Sequence, residues 1–190
     1  MTEEAVYDWR PVKGFALSGL FWGAVSILIG LFISIQMWMP ELNFPPYLTY
    51  GRLRAVHVNG LAFGFAVAEI FALSYYMVQK LTRRTLVFPA VAMTQLYIFN
   101  VAIVAAAVTL LMGYTQSKEY AELEWPLDIG VVILWVMFAV VIFATIIKRK
   151  EEQMYISLWY LIATIIAVAV LYIVNNLSIP HLPHHRKLSI

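Results

Sequence analysis

One histidine of this chain lies inside an apolar run, and it is His57. It follows Arg52 and Arg54 in the string G-R-L-R-A-V-H-V-N, at the head of a stretch that runs from Gly51 to Gln79. An ionisable ring at such depth is costly, and ordinarily faces a cavity, a partner or a cofactor. Neutral imidazole is a common axial ligand of haem iron. On a regular α-helix, Gly60, Gly64 and Ala68 share the face of His57. These small residues leave room that either a porphyrin or a close neighbouring helix would fill. Arg52 and Arg54 either snorkel to lipid headgroups or clamp anions such as haem propionates. The nearby histidine favours the clamp.

The carboxylates form a second set. Glu69 lies twelve residues after His57, about 120° away around a 3.6-residue helix. It is therefore expected to face a different neighbour from the histidine. A carboxyl at that depth is protonated, paired or in a wet cavity. Proton handling and a neutral hydrogen bond across helices both fit. The loop G-Y-T-Q-S-K-E-Y-A-E-L-E-W-P packs Glu119, Glu122 and Glu124 ahead of Trp125-Pro126, and Asp128 follows. Acids at a helix start are favoured by the helix dipole. The same oxygen density also suits calcium, provided a partner completes the ligand shell. Gln95 and Asn100 read as polar glue between membrane helices. His181, His184 and His185 lie in a Pro-containing tail whose composition is that of a disordered segment.

The elements that must position these residues follow from composition. The chain is 62% hydrophobic and 13% charged, with its apolar residues in long runs. Five runs are long enough to cross ~30 Å of hydrocarbon as helices: 15–37, 56–78, 87–112, 126–147 and 154–174. In lipid the backbone must satisfy its own hydrogen bonds, so these runs are helical. The expected organisation is a polar lead at 1–14, an all-α transmembrane domain at 15–180 and a tail at 181–190. The first run is too long for a removable signal peptide. The absence of cysteine excludes disulfides, thiolate catalysis and cysteine-bound metals within the chain. A net charge of +2 supports no nucleic-acid partner.

Basic residues set the orientation. Arg10, Lys13, Lys80, Arg83, Arg84, Lys148, Arg149 and Lys150 fall on one side; Arg52, Arg54, Lys118, Arg186 and Lys187 fall on the other. The positive-inside rule then puts the N-terminus in the cytoplasm and the C-terminus outside. His57, the two arginines and the acidic loop all meet at the outer face.

The blocks G-R-L-R-x-x-H-x-N, S-Y-Y-x-V-Q, K-E-Y-A-E-L-E-W-P-x-D-I and I-V-N-N-L-S-I-P resemble subunit I of cbb3-type cytochrome c oxidases. These belong to the haem–copper oxidase superfamily, with nitric oxide reductases as relatives. The resemblance runs from about Gly51 to Pro180. It implies that His57 is an axial ligand of a low-spin haem b, and that Arg54, with Arg52 beside it, lies near the haem propionates. It also implies that Glu119 and Glu122 belong to a calcium site near those propionates, with Glu119 the favoured ligand. A bacterial inner membrane, membrane lipid and other oxidase polypeptides, including a c-type cytochrome subunit, are implied as surroundings.

The departures matter equally. Subunit I in that family has about twelve spans, and this chain supplies the equivalent of the first five. The ligands of copper and of the second haem belong to the part that is missing, so both are expected on a partner chain. Family members tend to carry glycines and an asparagine where this chain has Ala66, Val67 and Ala68. The expectation is a split, truncated or partial form of the catalytic subunit of a cbb3-type oxidase, passing electrons to an oxygen-reducing centre on another polypeptide. The alternatives are a non-catalytic haem-binding or accessory subunit, or part of a nitric oxide reductase.

Overall fold

The structure, a computed structural model, describes residues 7–116 and 121–177. It contains five long helices: α1 (Arg10–Trp38), α2 (Tyr50–Thr82), α3 (Pro89–Met112), α4 (Trp125–Ile147) and α5 (Ile156–Leu177). All five are long and apolar enough to cross a membrane, as the hydropathy pattern requires. The helices extend past several of the expected apolar spans; α2, for example, starts at Tyr50 and ends at Thr82. Hydropathy marks the hydrocarbon boundary, whereas a helix continues into the headgroup layer as long as its polar side chains can reach water.

Local chemistry sets the helix ends. Proline occupies the first turn of α1, α3 and α4, where its missing N–H costs nothing. Asp128 sits in the first turn of α4, the favourable end of the dipole for a carboxylate. At the end of α3, Gly113 takes φ +86°, the left-handed conformation that closes a helix and favours glycine. Between α1 and α2, a short 3₁₀ turn at Pro40–Leu42 leads into an extended link. The Gln36 amide fastens this link by donating to the carbonyls of Leu42 and Leu48, each at 2.9 Å.

α1 packs along α2; α3, α4 and α5 complete the bundle through α3–α4, α2–α4 and α4–α5 contacts. On the side of the Lys80–Arg84 turn, the core is aromatic. Phe71 lies 5.2 Å from Phe15 and 4.7 Å from Phe138, centroid to centroid, and Tyr75 lies 5.6 Å from Phe138. Gln95 accepts from the Tyr75 hydroxyl and donates to the Leu134 carbonyl at 3.1 Å. Asn100 accepts from Ser18 at 2.8 Å and from the Trp22 indole at 2.9 Å. Both amides therefore act as glue between helices. Below them, the Gln79 amide pairs with the Asp8 backbone N–H and C=O, at 2.8 and 3.0 Å. That pair ties the polar lead to the end of α2.

Candidate functional site

Helix α2 is not regular. Eight residues, Gly60–Val67, form a wide π-helical stretch one turn after His57. A run of i→i+5 bonds needs more residues per turn, roughly 4.4 against 3.6, so each residue advances about 80° rather than 100°. Over eight residues the helix falls behind by roughly 140°. Glu69 therefore does not sit 120° from His57. It returns to nearly the same face, against α1. This corrects the expectation that the two residues meet different neighbours. The reason is the π stretch, which a uniform helical wheel cannot show.

The seam with α1 is lined by small residues from both helices. A Cβ placed on Gly30 would lie 2.5 Å from His57 Cε1 and 2.8 Å from Nδ1. One on Gly23 would meet the Phe65 ring at 3.0 Å, and one on Gly19 would meet Glu69 Oε1 at 2.5 Å. Gly60 abuts the Ser26 hydroxyl, and a Cβ on Gly64 would meet Trp22 Cβ at 3.1 Å. The stripe Gly60, Gly64, Ala68 is thus filled by a neighbouring helix. Small residues let backbones approach in a membrane, where close packing carries helix association.

This close approach orients the histidine. His57 Nδ1 lies 2.7 Å from the carbonyl oxygen of buried Ser26. A carbonyl can only accept, so Nδ1 carries the hydrogen. In the neutral ring the Nε2 lone pair is then available to a metal. Metal-ligating histidines are commonly held in this way, the other ring N–H donating to a carbonyl that fixes tautomer and ring orientation. The donor set therefore fits haem iron at Nε2.

An apolar cavity of about 300 Å³ lies inside the bundle, lined among others by Val56, Asn59, Phe63, Ala106, Leu110 and Trp135. His57 is not among its lining residues. The ring is half-buried in the α1–α2 seam, apart from this cavity.

Arg54 is exposed, one turn before His57. Arg52 donates to the Leu111 carbonyl at 2.7 Å, lies over Gly113, and has its guanidinium 5.9 Å from the Tyr47 ring. It thereby satisfies an orphan carbonyl at the end of α3. Glu122 is buried and accepts from the Asn59 amide at 3.1 Å. Asn59 stands two residues from His57, roughly 200° around α2, so the acidic loop reaches the same level as the histidine on the other side of the helix. Glu119 and the tail histidines lie outside the described residues. Among the described residues, no three His, Cys, Asp or Glu side chains come together as a metal-holding group.

Three contacts were not anticipated from sequence. Ser26 acts through its backbone carbonyl, which carries no residue signal. Asn59 could have been noticed as an amide within the apolar run. Asp128 accepts from the Tyr172 hydroxyl at 2.8 Å and from Gln116 at 3.4 Å. It thus fastens the acidic loop to α4 and α5, a long-range pairing that spacing does not reveal.

A family model for cytochrome c and quinol oxidase polypeptide I matches residues 10–189. The chain belongs to this family. Its relatives within oxidase polypeptide I include the cbb3-type cytochrome c oxidase subunit CcoN1 of Stutzerimonas stutzeri, 44% identical over 92% of this chain and 37% of that protein. A cytochrome c oxidase subunit 1 homolog (bacteroid) of Bradyrhizobium diazoefficiens is 39% identical over 92% of this chain and 32% of its own length. Cytochrome c oxidase subunit 1 of Rhodobacter capsulatus is 36% identical over 89% and 32%. The chain thus spans about a third of the length of these relatives. The resemblance to cbb3-type subunit I is borne out, and with five spanning helices the chain is a multi-pass membrane protein. Haem is the cofactor the family implies.

Proposed function

We propose that this chain forms the low-spin haem-holding part of a cbb3-type terminal oxidase subunit I. The observation that carries this reading is the His57–Ser26 hydrogen bond. It holds the imidazole with Nδ1 as donor and leaves Nε2 for the iron of a b-type haem. When bound, the haem supplies one-electron transfer. The chain's own part is to fix the ring through Ser26 and Gly30 and to place Arg54 and Arg52 at the outer rim for the propionates. The second axial ligand comes from another segment, because His57 is the single histidine within the five spans.

The finer readings belong to the same proposal. Glu122 and Glu119 contribute to a calcium site near the propionates. The N-terminus faces the cytoplasm of a bacterial inner membrane, and the C-terminus faces outward. Copper and the second haem are held by other segments of the complex, which includes a c-type cytochrome subunit and delivers electrons to an oxygen-reducing centre.

The test is a pair of optical spectra. The isolated polypeptide titrated with haemin should bind weakly or in a five-coordinate form. Co-assembly with a histidine-bearing partner should give a low-spin six-coordinate spectrum. A low-spin spectrum from the isolated chain would contradict the proposed source of the second ligand.

A further inference from the structure

Glu69 lies in the middle of α2, where a carboxyl has no water to meet its hydrogen-bonding needs. Its Oε1 atom is shut off from solvent and has no hydrogen-bond partner among the described residues. The surroundings nevertheless accommodate a carboxyl. Gly19 of α1 makes the niche, since any Cβ there would stand 2.5 Å from Oε1 and 3.2 Å from the Ala68 Cβ. The π stretch turns Glu69 toward α1. Beyond the niche the surface of the two helices is apolar and open: Leu20 is 60% exposed, Ile70 43% and Leu73 65%. Two local features thus hold an acid at this point, while the five helices offer it no donor. An unsatisfied polar atom at membrane depth costs free energy that a neighbouring helix can recover with one hydrogen bond.

We infer that Glu69 is a docking carboxyl. It takes a hydrogen bond from a donor side chain on a transmembrane segment outside these five helices, packed over the α1–α2 seam beside Leu20, Ile70 and Leu73. The partner is defined by its chemistry: an apolar helix carrying a hydroxyl, imidazole or basic side chain at the level of Glu69. This surface lies on the same seam as His57 but roughly 15–18 Å along the axis from it. The inference does not depend on haem ligation.

The experiment places a photoactivatable benzoylphenylalanine at Leu73, one turn from Glu69, in the full chain within its native membranes. A control probe goes at Val101, exposed on α3. The Leu73 probe should form an adduct with a membrane segment that carries a donor within one turn of the attachment point; the Val101 probe should not reach that segment. Glu69→Leu should lower the adduct, per inserted chain, by roughly three- to tenfold, the size of one interhelical hydrogen bond. Glu69→Gln keeps an acceptor and should retain most of it. Gly19→Ala keeps the acid in the sequence but crowds its carboxyl out of the niche, and should also lower the adduct. An adduct unchanged by Glu69→Leu and Gly19→Ala would overturn the inference. So would labelling of lipid alone, or of a second copy of this chain.

Discussion

The two halves of this bundle are built differently. On the side of the Lys80–Arg84 turn, Phe15, Phe71, Tyr75 and Phe138 fill the space between helices, and Gln79 and Gln95 lock it with hydrogen bonds. On the side of the acidic loop, alanines of α3 and a wide stretch of α2 leave a cavity of about 300 Å³. The histidine stands at that looser end, in the seam with α1. The contrast separates two tasks. The aromatic half holds the helices together, while the looser half holds the ring at one angle through a carbonyl and a glycine.

This contrast can be broken from either side. The largest effect should come from the packed half. Phe138 is 1% exposed and touches Phe71, Tyr75 and Trp135. Phe138→Ala removes a ring from a fully buried site, which costs about 3–5 kcal/mol. Thermal unfolding in detergent should show a marked loss of stability.

The seam comes next. Gly30→Ala puts a methyl 2.5 Å from the imidazole, so the ring or α1 must shift. Disturbing the support of a metal ligand typically costs roughly tenfold or more in affinity. Haem content of the assembled protein should fall by that order, with little change in the amount of inserted polypeptide. Equal loss of both would mean that Gly30 matters for packing alone.

The smallest effect belongs to the cavity. Ala107 lines it, so Ala107→Leu adds carbon into empty space. The expected change in unfolding temperature is slight or mildly positive, against the usual cost of about 1–3 kcal/mol for overpacking a filled core. A loss as large as that of Phe138→Ala would show the two halves to be equally packed.

Most of the architecture was legible in the sequence because lipid imposes a strict rule. Long apolar runs must be helices, and prolines and glycines mark their ends. Gln95 and Asn100 could be recognised as glue because an amide at that depth has few alternatives. His57 stood out for the same reason. What remained hidden depends on backbone geometry. Nothing in G-L-A-F-G-F-A-V announces a π-helical turn, so a uniform helical wheel puts Glu69 on the wrong face. The stripe Gly60, Gly64, Ala68 left a porphyrin and a helix equally open, because small residues state only that something comes close. The Ser26 carbonyl that orients the histidine belongs to the main chain and could not be read from residue type. Asp128 and Tyr172 are 44 positions apart, and no local pattern joins them.

The most direct measurement is the reduced-minus-oxidised optical spectrum of the assembled complex with His57→Ala. The low-spin b-type signal should disappear while the polypeptide stays in the membrane at its normal level, since one substitution does not remove the hydrophobicity of a span. A low-spin signal of full amplitude in that variant would contradict the assignment of His57 as the haem ligand.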